Sequence, residues 1–322
     1  RLGNIQIGLN TSQQPVFASD LQAEGAMTAL LKNAFQPTLV QTLEHTAAIV
    51  HGGPFANIAH GCNSVLATKM ALSCNDYVVT ESGFGSDLGA EKFLDIKCRL
   101  TGLRPKATII VVTSAALKLH GGVPAAEISK PNMEALIAGL PNLQRHVENM
   151  KNFGQSVVVS FNKFKHDTAE EVAHLENFCQ QQGVVFAINN GFTKGGEGAA
   201  ELAQKVVSMI ENNPSKDINF TYDLTDSIKT KIEKIATKIY RAGEVVFTGP
   251  AATKLKQFDA NGWSNLPICI AKTQYSFSDN EKNICAPTGF TLNIRDLVIN
   301  AGAGFIVAVA GEIMRMPGLP KD

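Results

Sequence analysis

The chain has 322 residues, 29 basic and 29 acidic, with 44% hydrophobic and 18% charged residues. That balance supports a large core and excludes disorder, and the absence of any basic tract excludes nucleic acid as a partner. No apolar run is long enough to span a bilayer, so no membrane association is expected. In chain order, a helical pattern over residues 21–35 opens behind Asp20, a candidate N-cap. Short β-branched runs follow at 77–80, 108–113, 156–161 and 184–188. They are continuous rather than alternating, which reads as parallel strands buried on both faces. Helical patterns separate or follow them at 133–153, 169–182, 199–212 and 227–240. Thr168 and Glu171 have capping-box spacing, and Gly183 is a plausible stop. The class is therefore α/β, with a doubly wound, mostly parallel sheet.

Composition breaks near residues 151–154 and after Tyr240, where Pro250 and Gly262 interrupt. They suggest a nucleotide-type domain at 1–150, a small α/β domain at 151–236 and a C-terminal domain at 237–322. Cys62, Cys74, Cys98, Cys179, Cys269 and Cys285 form no C-x-x-C pair. Free thiols in a reducing cytoplasm are expected. His60 and Cys62 have no matching second pair, so no metal site is assigned. The start at Arg1, without an initiator Met or a signal-peptide pattern, suggests a fragment or a processed chain.

Two Gly-rich segments dominate the chemistry. One runs from Val50 through His51, Gly52, Gly53 and Pro54 to His60 and Gly61. The other runs from Thr80 through Glu81, Ser82, Gly83, Phe84 and Gly85 to Gly89 and Phe93. Glycine lets backbone N–H groups approach an anion, and a helix start adds partial positive charge. In open α/β sheets ligands sit beyond the carboxyl ends of strands. Those ends carry Glu81 and Phe84 after 77–80, Asn162 and Phe164 after 156–161, and Asn189, Asn190 and Phe192 after 184–188. Phe164 and Phe192 stand out, because two aromatic faces can sandwich a flat heterocycle; packing under the sheet edge is the equal alternative. Glu81 and Asp87 either help bind a cation beside a polyphosphate or serve as a backbone cap and a helix start. Lys118 and Lys272 are candidate anion contacts, with a surface position as the default. Asn162 and Lys163 lack the Asp of a guanine-reading N-K-x-D element. His51, His60 and His120, each beside glycine, receive no acid–base role. The Gly195-Gly196-Glu197-Gly198 turn reads either as an anion-facing helix start or as a plain tight turn.

As strings, these segments resemble the formate–tetrahydrofolate ligase family from about residue 21 to about residue 320. Further matching stretches are Ala116-Leu117-Lys118-Leu119-His120-Gly121-Gly122, Asn162-Lys163-Phe164, Lys194 to Gly198, Asn265 to Ser276, Gly302 to Phe305, and Met316 to Pro320. The family's phosphate loop, G-x-x-x-x-G-K-[ST], is absent here and lies upstream in the family. The resemblance therefore implies the C-terminal three-fifths or so of a longer, P-loop NTPase-like enzyme, with the upstream segment as a partner. It implies ATP with Mg2+ as cosubstrate, tetrahydrofolate and formate as substrates, a monovalent cation and a homo-oligomer. It also implies formyl phosphate as intermediate and matches Phe164 and Phe192 to the family's aromatic clamp and Phe84 to a third aromatic near the folate; Glu81, Gly85 and Asn162 join them as binding candidates from their places at the strand ends. The isolated chain is expected to lack turnover. Alternatives are a catalytically dead relative acting as subunit or scaffold, and a folate- or nucleotide-binding module. Departures from the family pattern are Ala115 in place of Arg, Phe192 in place of Trp, His45 in place of Gly and Arg315 in place of Thr.

Overall fold

The computed structural model describes residues 1–313, so Arg315 and the Met316 to Pro320 string lie outside the described residues. The chain gathers into two compact units. One comprises Arg1–Gly102, Phe220–Glu281 and the residues from Thr288 onward; the other comprises Leu103–Asn219 and Lys282–Pro287. The boundaries suggested at 150/151 and 236/237 fall inside the second and the first of these units, respectively.

The second unit is built on a parallel sheet of Thr108–Val112, Val157–Asn162 and Val185–Asn189, in that order. Each strand lies within about one residue of its β-branched run. The middle strand buries Val157, Val158, Val159 and Phe161, which is why its sequence does not alternate. The helices Met133–Asn152, Ala169–Gln181 and Ala200–Asn212 complete the α/β arrangement. The capping box forms as expected. The Thr168 hydroxyl accepts the Glu171 N–H at 3.1 Å, and the Glu171 carboxylate accepts the Thr168 N–H at 3.1 Å. Gly183 closes this helix at φ +62°, the left-handed conformation that glycine adopts without strain.

The first unit carries a mixed sheet in the order Glu244–Phe247, Thr291–Asn300, Phe305–Ala310, Ile268–Ala271. The central pair is antiparallel and both flanking pairs are parallel. Ile96, Cys269, Ala271, Phe305, Val307 and Val309 pack together against it. The sequence reading did not identify this sheet. Thr291–Asn300 carries Asn293, Arg295 and Asp296, and its inward positions alternate only over the first half. Two hairpins add Gln6–Leu9 with Pro15–Phe17, and Thr38–Gln41 with Ala47–Val50.

Two expected elements differ. Residues 77–80 form no strand: the run has no ladder partner among the described residues, and Val79 is 84% exposed. A β-branched run becomes a strand only where a neighbour supplies hydrogen bonds and packing. Asp20 does not cap an α-helix at residue 21. Its carboxylate accepts the Phe17 N–H at 2.7 Å and closes a short 3-10 turn, Ala18–Leu21. Gln22 then takes φ +52°, and the α-helix runs over Glu24–Leu31.

Candidate functional site

In the first unit the two Gly-rich segments converge on one cavity of about 550 Å³, whose lining includes His51, Gly53, Cys62, Glu81, Gly83 and Phe84. Close backbone approach, within the first loop at Gly61 and between the two loops at Gly83, explains two of the glycines. A Cβ on Gly61 would stand 2.2 Å from the Ala56 Cβ, and a Cβ on Gly83 would stand 2.8 Å from the Gly61 carbonyl oxygen. No side chain fits at either position, and at Gly83 the second loop lies directly on the first. His51 fixes the first loop from both ring nitrogens, with Nδ1 2.7 Å from the Ser64 hydroxyl and Nε2 3.0 Å from the Ala34 carbonyl oxygen. Ser64 in turn caps the helix Val65–Cys74 by accepting the Ala67 N–H at 3.0 Å.

Phe84 stands at φ +55° between Gly83 and Gly85, and its ring is exposed. A left-handed bulky residue is strained by a kcal/mol or more, and such residues cluster at functional sites. Glu81 is exposed on the same rim.

Beneath this cavity lie two buried ammonium groups that the sequence reading missed. Residues 86–98 wind through two wide π-type turns, Ser86–Ala90 and Phe93–Cys98, in a helical stretch that is almost wholly buried. From it Lys92 donates to the Ala56 carbonyl, and Lys97 donates to the Asn63 carbonyl at 2.7 Å and to the Thr68 hydroxyl at 2.9 Å. Burial holds the Lys97 pKa below its ordinary value. His60 is held below its usual range by burial and then by Lys97, Lys92 and Arg1. Burial is the larger cause of that shift, and the nearby ammonium groups of Lys97 and Lys92 add to it. The available signal was a helical stretch in which charges fall on every face; a solvated helix has an apolar side.

In the second unit, Asn162, Phe164 and Phe192 gather at the carboxyl ends of Val157–Asn162 and Val185–Asn189. The Phe164 and Phe192 ring centroids are 6.0 Å apart with planes inclined at 48°. Phe192 is 86% exposed, on the short helical turn Gly191–Lys194. The Asn162 side-chain oxygen accepts from the Asn189 amide at 3.1 Å, and the Asn189 oxygen accepts the Gly191 N–H at 2.8 Å. This chain of amides ties both strand ends to the turn that carries Phe192. Asp167, a third residue the sequence reading passed over, takes the Phe164 N–H at 2.6 Å and the Ser114 hydroxyl. Ala115 is half-buried in the first turn of Ser114–His120. Gly195–Ala199 forms a short 3-10 turn into Ala200–Asn212.

Two candidate anion contacts and one candidate cation ligand are corrected. Lys118 is buried and paired with Glu171 at 3.1 Å. Lys272 is buried and paired with Asp87 at 2.6 Å. A lysine already neutralised inside the core is unavailable to a ligand, and so is Asp87. His120 is likewise structural, its Nδ1 accepting the Cys285 N–H at 3.0 Å. Among the described residues no group of three or more His, Cys, Asp or Glu side chains is arranged to hold a metal ion. None of their helices is long and apolar enough to cross a membrane.

Comparison with known proteins identifies the family. The model of the formate–tetrahydrofolate ligase family matches residues 1–322. Relatives named formate–tetrahydrofolate ligase include those of Parabacteroides distasonis, 57% identical, Bacteroides thetaiotaomicron, 55% identical, and Campylobacter concisus, 54% identical. Each match covers all 322 residues of this chain and 58% of the relative's length. The family model spans the whole chain and the relatives match it throughout, so the chain belongs to the formate–tetrahydrofolate ligase family.

Proposed function

We propose that this chain is part of an ATP-dependent ligase that makes 10-formyltetrahydrofolate from formate and tetrahydrofolate by way of formyl phosphate. The observation that carries this reading is the convergence of both Gly-rich segments on one cavity above the buried Lys92 and Lys97. Formate and ATP are both anions, and bringing them together requires fixed positive charge and backbone donors. A formate oxygen attacks the γ-phosphorus, the bridging P–O bond breaks and ADP leaves. N10 of the folate then attacks the formyl carbon, the C–O bond to phosphate breaks, and N10 loses its proton. In the first unit Glu81, Phe84 and Gly85 serve as substrate-binding residues. In the second, Asn162, Phe164 and Phe192 hold the flat ring of a substrate.

The family implies Mg2+ with the ATP. Mg2+ takes one or two carboxylates and draws its other ligands from phosphates and water, so a single rim carboxylate such as Glu81 fits that role. When bound, the ion would neutralise phosphate charge. The same reading includes a P-loop NTPase-like, doubly wound domain in the whole enzyme, a monovalent cation, a homo-oligomer and a cytoplasmic place in one-carbon metabolism. This sequence contains no G-x-x-x-x-G-K-[ST] loop, the cradle for the β- and γ-phosphates.

The test is formate-dependent ADP release, measured with this chain alone and with this chain supplemented by the part of the Parabacteroides distasonis relative that it does not span. Turnover only in the supplemented mixture is expected. Turnover by this chain alone contradicts the need for the missing loop. A second reading, a binding module without ligase activity, is favoured by Ala115, where an Arg would offer a guanidinium beside Ser114. Tetrahydrofolate binding without turnover in the supplemented mixture, with turnover restored by Ala115→Arg, would establish it.

A further inference from the structure

The aromatic site of the second unit contains a third ring. The His166 imidazole lies against Phe164 with centroids 5.8 Å apart and planes inclined by only 7°. The Phe192 ring, 6.0 Å from that of Phe164, is inclined by 48°. The two contacts of Phe164 are therefore unlike: one is a parallel offset stack, the other a tilted touch. A flat ligand between Phe164 and Phe192 needs each phenyl plane about 3.5 Å away from it, so one ring must move outward by about 1 Å and lose its tilt. Phe192 has that freedom. It is exposed, on a four-residue turn that ends at Gly195. Phe164 has little. Its N–H is held by Asp167 at 2.6 Å, its side chain is half-buried, and its ring is stacked on His166.

We propose that His166 is a positioning residue of this site: it backs Phe164 and sets that ring's plane, so that the ring is preformed as one jaw while Phe192 moves as the other. The ligand class is a planar heteroaromatic ring, the pterin of tetrahydrofolate under the reading above, on which this inference rests. The imidazole itself does not touch the ligand. It acts through its π-face. Its Nε2, 3.7 Å from the Asp167 carboxylate, is beyond hydrogen-bonding distance, and Asp167 is occupied by Ser114 and the Phe164 backbone. A stacked residue of this kind lowers the cost of ordering the site before binding, which shows in affinity rather than in folding.

The experiment titrates the 322-residue chain with tetrahydrofolate by calorimetry, comparing wild type with His166→Ala, His166→Phe, Phe164→Ala and Phe192→Ala, and records each variant's Tm. Positioning predicts that His166→Ala weakens binding by roughly three- to tenfold, the scale of one aromatic pair. His166→Phe restores it to within about twofold while both His166 variants melt within about 2 °C of each other. Full affinity in His166→Ala, or weak binding in His166→Phe as well, overturns the inference while leaving the two-phenylalanine site standing if Phe164→Ala and Phe192→Ala bind poorly. Wild-type affinity in all four variants, or no binding by wild type, overturns both.

Discussion

Nζ of Lys272 lies 2.6 Å from Oδ2 of Asp87, with both groups buried in the first unit. The ammonium also donates to the Thr273 carbonyl at 3.1 Å and sits 5.1 Å above the Tyr240 ring. Burial pulls the Lys272 pKa below its ordinary value, and Asp87 pulls it back up. The pair pins the start of the 86–98 stretch, which carries Lys92 and Lys97, to the strand Ile268–Ala271 and the loop after it. Removing one partner strands the other charge in the core. Asp87→Ala should therefore cost about 3–5 kcal/mol in chemical denaturation, whereas Asp87→Leu with Lys272→Met should recover most of that loss. A mild effect of Asp87→Ala on stability would mean that Lys272 reaches water or a ligand after all.

Glu91, one turn further along, is buried with neither carboxylate oxygen hydrogen-bonded in the structure. Burial, and then the Asp95 charge, hold its pKa well above 4.5. The sign follows from linkage. Below pH 4.5 the group is protonated folded and unfolded, so it costs nothing. As pH rises from there toward the folded value, the unfolded chain releases a proton that the folded chain keeps, and stability falls. Glu91→Gln removes that dependence. Its stability relative to wild type should rise with pH from 5 upward, by at most about 1.4 kcal/mol per pH unit. Parallel stability–pH curves for the two proteins would show Glu91 to be ionised in the fold.

His45 takes φ +59° in the turn between Thr38–Gln41 and Ala47–Val50. The left-handed conformation costs an L-residue about 1–2 kcal/mol, partly offset by the lower unfolded-state entropy of a non-glycine residue. His45→Gly should stabilise the chain by about 0.5–1 kcal/mol, read as a higher denaturation midpoint at unchanged m-value. A loss of stability would mean that the 3.4 Å contact from Gln41 to the His45 ring outweighs the strain.

The parallel strands and their helices were legible because each is local: a buried β-branched run, a capping box at Thr168, a glycine stop at Gly183. The run at 77–80 carried the same local signal and forms no strand, because pairing depends on a neighbour that the run itself does not encode. The mixed sheet was hidden for the opposite reason. Its longest strand mixes Asn293, Arg295 and Asp296 with apolar residues, and its partners are distant in sequence. At the candidate site, glycines and exposed phenylalanines mark themselves by type. Lys92, Lys97 and Asp167 do not. A lysine beneath a loop and a lysine in solvent are the same letter, and only packing distinguishes them. Lys118 and Lys272 show the converse, as candidate contacts that the fold turns inward.

The most direct measurement is the affinity of the chain for tetrahydrofolate with Phe192 replaced. Phe192 lies at the open side of the Phe164 ring and carries no structural burden at 86% exposure, so its replacement leaves the fold intact. Calorimetric titration should show Phe192→Ala weakening tetrahydrofolate by about 1–3 kcal/mol, the loss of an aromatic stack and its buried area. Phe192→Trp should bind as well as wild type or better. Equal affinity in wild type and Phe192→Ala would contradict the assignment of this aromatic pair to the folate ring.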